Sequence, residues 1–220
     1  MNFWDPSGMW AADGSDERFR NSNPIVYQAL ADLSQAWTNL DNLERQGYDI
    51  GDLKSQVNIM ANKVREIGDQ IVVSDSEAPW SDNVYGGLNA TEKVIFASDK
   101  IRAGIVGASA VEAQNYLDER FSNQADGSTA NAIKHAMWNA MSIFNGAGPE
   151  FTELFTNAHE LGNSNNFSNG DNLALTKMDF FNNSVGRYQG LLGINNGYTR
   201  WQVQENIYNR AFEGGLIIIR

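Results

Sequence analysis

Two histidines occur in the 220 residues, and both lie in a short central region among carboxylates and amides. The first is in "NAIKHAMWNAMS" (131 to 142), the second in "NAHELG" (157 to 162), and "MDFFNNSVGR" (178 to 187) follows. In a helix Asn131, His135 and Asn139 fall at i, i+4 and i+8 and share one face, with Lys134 and Trp138 flanking the imidazole. Asp179, Asn183 and Arg187 repeat that spacing, with Asn182 beside them. His159 and Glu160 stand near a helix end, where a carboxylate next to an imidazole fixes its tautomer or acts as a base itself.

Three helices bringing these rows together would supply the parts for hydrolysis by general acid/base catalysis or with a divalent ion. In the metal form His135, His159 and Asp179 are the ligands and Glu160 the base; in the metal-free form the same four groups are catalytic. Asn139, Asn182, Asn183, Arg187, Lys134 and Trp138 would hold the substrate, the guanidinium taking an anionic group. No standard metal-ligand spacing such as HExxH is present. The competing reading is that the imidazoles and amides are hydrogen-bonded pins that set helix register and react with nothing.

The elements that must position these groups are helical. Residues 1 to 23 read as an irregular linker; 24 to 70 carry apolar residues at three- to five-residue steps, broken at Gly47, and predict a helical hairpin. Residues 71 to 88, with Pro79, Gly86 and Gly87, form a second linker, and 89 to 220 a compact domain of about five helices. Asn89 and Glu92 are spaced as a capping box, and small residues such as Ala103, Gly104 and Gly107 mark the helix over 99 to 121 as central and buried. On 178 to 192, Met178, Phe181, Val185, Tyr188 and Leu192 predict the packing stripe, leaving Asp179, Asn183 and Arg187 to be presented. The class is all-α with about seven helices and one short strand expected at "LIIIR".

Hydrophobic content of 42% with 20% charged residues is that of a soluble globular protein, and no apolar run reaches membrane-spanning length. A net charge of −11 weighs against general affinity for nucleic acid, which draws on Lys and Arg. With no cysteine there is no disulfide framework and no thiolate chemistry. A conventional signal peptide is not visible.

The motifs A-x-K-H-A-M-W (132 to 138), A-H-E (158 to 160) and M-D-x-x-N-N-x-x-G-R (178 to 187) resemble, in order and spacing, a helical domain at the C-terminal ends of bacterial polymorphic toxins. "NFWDPSGMW" (2 to 10) is similar to the Asp-Pro-x-Gly segment that closes the shell of Rhs-type toxins. The resemblance implies an antibacterial effector, injected or secreted through an Rhs-type or other secretion-system carrier and neutralised by a cognate immunity protein. It implies a hydrolase, with a cell-envelope lipid or peptidoglycan precursor as the expected substrate. Lys134 stands where that pattern usually has Arg, and Phe181 where it often has His, which removes one ligand and favours a metal-free site. A cytoplasmic nuclease toxin and a non-enzymatic helical interaction module are the alternatives.

Overall fold

A computed structural model describes residues 17 to 73 and 87 to 219. The segment with the Asp-Pro-x-Gly motif, and most of the second linker, lie outside the described residues. Among those described there are nine α-helices and one 3₁₀ turn, with no strand, so the fold is all-α. The helices are α1 (Phe19–Ser22), α2 (Pro24–Arg45), α3 (Leu53–Gln70), α4 (Ala90–Ser98), α5 (Lys100–Asp118), α6 (Thr129–Phe144), α7 (Pro149–Leu161), α8 (Gly170–Asn195) and α9 (Arg200–Phe212).

The chain divides into two compact units. One runs to Ser98 and takes in Leu161–Gly170; the other is Asp99–Glu160 with Asp171–Arg220. In the first, α2 and α3 pack against each other. Pro24 opens α2 at the position where a missing N–H costs nothing, and Leu30, Leu33 and Leu40 of α2 are buried with Val57 and Val64 of α3. The buried Asn23 closes the pair, donating to Ile71 O (2.8 Å) and accepting from Val73 N (3.1 Å). At the head of α4 the Asn89–Glu92 box is formed in both directions, at 2.8 and 2.9 Å.

In the second unit α6 is the buried helix: every residue from Ala136 to Ile143 is shielded. The expectation that α5 is the central one is corrected. Only one face of α5 is covered, with Ile101 80% exposed and Gly104 facing open space. The small residues of α5 allow close packing on that face, whereas α6 is enclosed, with its buried Asn139 hydrogen-bonded from α7 and α8.

A second correction concerns α8. Its polar row packs inward, while Phe181 (43% exposed) and Tyr188 (58%) of the predicted apolar stripe face outward and only Met178 is fully buried. Gly186 and Gly190 decide the matter. They lie against the carbonyls of Ala136 and Ala140, where no side chain would fit. That backbone approach puts short amides of α6 and α8 within reach of each other, and hydrogen bonding then offsets their burial.

Among the described residues the expected strand is absent as well: at 216 to 219 Asn182 bonds Ile217 in both directions (2.9 and 3.0 Å), and Ile219 N donates to Gly127 O at 3.0 Å.

Candidate functional site

The second unit gathers the polar rows of α6, α7 and α8 into one buried chain of contacts. Asn139, fully buried, is its hub. Its amide nitrogen donates to Asn183 Oδ1 (2.7 Å) and to His135 O (3.0 Å), while its oxygen accepts from Thr156 Oγ1 (3.1 Å) and Arg187 Nη1 (3.2 Å). Asn183 passes the chain on, donating to Glu160 Oε1 at 3.4 Å. Arg187 ends it at the rim, with Nη2 3.2 Å from Glu153 Oε1.

His135 lies at the other end, enclosed between two carboxylates. Glu160 Oε1 is 3.3 Å from Nδ1 and Asp179 Oδ1 is 3.3 Å from Nε2. Neither approach is aligned as a hydrogen bond, so His135 Nδ1 and Asp179 Oδ1, both buried, lack one. Thr152 Oγ1 and Asn157 Oδ1 of α7 are left in the same state, but His135 and Asp179 are titratable, and for such groups one recurrent explanation is reactivity.

The electrostatics divide the two carboxylates. For Asp179, burial dominates and pushes its carboxyl up to about 7; His135 opposes this, and the charges of Glu160 and Asp126 add to it. For Glu160, burial is again the largest influence, but the contacts to His135 outweigh it and its pKa is lowered. Burial disfavours the His135 imidazolium, yet Asp179 and Glu160 raise its pKa all the same. Glu160 is therefore the standing anion, and Asp179 the group that can exchange a proton near neutrality.

The sequence-derived candidates thus separate. His135, Glu160 and Asp179 meet; Asn139, Asn183 and Arg187 form the chain beside them. His159 has its ring edge-on to Trp138 at 5.4 Å and its charge is felt at both Glu160 and Asp179, and the Trp138 indole N–H donates to Val106 O at 2.9 Å. Lys134 is half-buried on the turn of His135, and its charge opposes protonation of that imidazole. Asn182 is turned to residue 217 instead. Arg187 is occupied by Asn139 and Glu153, with burial lowering its pKa. Thr156 is a member that the sequence reading passed over. Thr152, Thr156 and Glu160 repeat the same i, i+4, i+8 spacing on α7, which was the signal for it.

His135, Glu160 and Asp179 offer ligand atoms within 4.8 Å of one another. Glu160 is nearest Nδ1 and Asp179 nearest Nε2, yet with this mutual spacing the three residues could hold a divalent ion together, and they could equally share a proton.

A family model described as a domain of unknown function (DUF6973) matches residues 93–211. No curated protein and no solved structure matches the chain.

Proposed function

For a chain that belongs to the DUF6973 family, its model covering more than half of the residues, we propose a hydrolase that works by metal-free acid/base chemistry at Asp179 and His135. The supporting observation is the enclosed imidazole, with its two carboxylates on opposite nitrogens and two buried polar atoms outside any hydrogen bond. Asp179 exchanges the proton with water or leaving group. His135, held by Glu160, steadies the ionised form of Asp179, and the Asn139–Asn183 pair fixes the helices that carry them. The expected setting is that of an antibacterial effector delivered by a carrier and restrained by an immunity protein, acting on an envelope lipid or peptidoglycan precursor. The net charge of −11 supports such a substrate over nucleic acid.

The complete engagement of the Asn139 amide favours a second reading, a structural pin in an interaction module. Growth of a bacterial host separates the two. The chain is expressed in the cytoplasm or exported to the periplasm, beside Asp179→Asn at equal abundance. The expected result is killing on export only, reduced about 100-fold or more by the isosteric substitution, the usual scale for a lost acid/base group. Killing confined to the cytoplasm would favour a nuclease. Killing undiminished in a folded Asp179→Asn protein would leave the pin as the better account.

A further inference from the structure

The segment 216–219 is held at two places that bracket Asp179. At one end, the Asn182 amide bonds Ile217 in both directions, as a neighbouring strand would. At the other, Ile219 N donates to Gly127 O, and a Cβ on Gly127 would meet both Ile219 O (2.8 Å) and Leu175 Cδ2 (3.0 Å). Leu175, Asp179 and Asn182 share one face of α8, since they are spaced by four and then three residues. The segment therefore runs along the turn of α8 that carries Asp179.

The same segment walls a cleft of about 350 Å³. Ile218 and Ile219 form one side; Asp126, Gly127, Ser128 and Thr129, leading into α6, form another. Two observations connect this cleft to the buried group. The charge of Asp126 is felt at Asp179. Asn131, one turn before His135 on α6, accepts from Gly127 N at 3.4 Å and ties the cleft floor to the imidazole face.

We propose that residues 216–219 are a strap over Asp179, clamped by Asn182, and that the cleft beside the strap is the way in to the site. Among the described residues Asp126 is the one charged side chain lining the cleft, so this lining suits a neutral or cationic hydrogen-bonding group, such as an amide, a hydroxyl or an amine, rather than a phosphate or carboxylate. This rests on the acid/base reading only in taking Asp179 as the reacting group.

The test needs no substrate. With two histidines in the chain, the imidazole N–H signals of His135 and His159 can be followed separately by ¹⁵N NMR. In Asn182→Ala, in Gly127→Ala and in a chain ending at Leu216, exchange of the His135 ring proton with water is expected to quicken at least tenfold while that of His159 is unchanged. Unchanged His135 exchange in the shortened chain, with its amide spectrum still dispersed, overturns the strap. If the shortened chain does not fold, Asn182→Ala decides in the same way. Faster exchange in a chain that kills no cells keeps the strap and removes the hydrolase.

Discussion

The second unit will melt roughly 10 °C lower at pH 8 than at pH 5, and Asp179→Asn will remove most of that slope. The cause is the buried carboxyl of Asp179, raised from 3.8 to about 7. Between those values the folded chain keeps a proton that the unfolded chain has released, so stability falls as pH rises through the interval. A displacement of that size corresponds to about 4 kcal/mol, about 1.4 kcal/mol for each pH unit crossed. His135 acts in the same direction: its folded pKa lies above the ordinary 6.5, so its contribution is complete below 6.5 and is lost as pH climbs through the folded value. Glu160 acts on the acid side, because its lowered pKa contributes stability above 4.5 that is lost as pH falls further. From pH 5 the two units up to 7 account for about 2.7 kcal/mol, which at about 3 to 5 °C per kcal/mol for a unit of this size gives the shift stated. Thermal melts followed by circular dichroism from pH 4 to 9 would show it. A melting temperature that rises steadily to pH 8, or an Asp179→Asn protein with the parent slope, would contradict the assignment.

Gly186→Ala is expected to cost about 4 kcal/mol. The added methyl would fall on the carbonyl of Ala136, which is helix backbone and cannot turn aside as a side chain can. The two helices must part, for which overpacking alone costs about 1–3 kcal/mol. Parting also stretches the 2.7 Å bond between Asn139 and Asn183 and leaves buried amide groups short of partners, at about 1–3 kcal/mol each. Gly104→Ala on α5 is the matched control, because open space surrounds it. There the helix propensity of Ala should add about 0.5–1 kcal/mol of stability. Chemical denaturation of the two variants against the parent would test the pair, and a Gly186→Ala protein within 1 kcal/mol of the parent would contradict the close approach.

Much of the fold was legible because its signals are local. The periodic apolar residues of 24–70 marked the two helices α2 and α3, and the Asn89–Glu92 spacing marked the cap that opens α4. The polar rows were legible too, since i, i+4, i+8 spacing places His135 with Asn139 and Asp179 with Asn183 whatever surrounds them. What they face was not. Phe181 and Tyr188 look like packing residues by type, and Asp179 and Asn183 like presented ones; the order is reversed because Gly186 and Gly190 bring another backbone against the polar side. His159 and Glu160 are adjacent in sequence, but successive residues of a helix point about 100° apart, so one reaches His135 while the other meets Trp138. The run at 216–219 has strand composition, yet a partner of Ile217 is the side chain of Asn182, a pairing that β-propensity does not register.

The seam between α6 and α8 also works as a gauge. With the backbone of α8 at Gly186 seated on that of α6 at Ala136, Asn139 and Asn183 meet directly across the seam at 2.7 Å. Length at positions 139 and 183 is thereby coupled to the size of residue 186: a longer amide will be rejected while residue 186 is glycine and tolerated once it is alanine. Asn183→Gln and Gly186→Ala should each harm the protein more alone than the second does when added to the first, so tolerance at the bridge is set by a residue that forms no part of it.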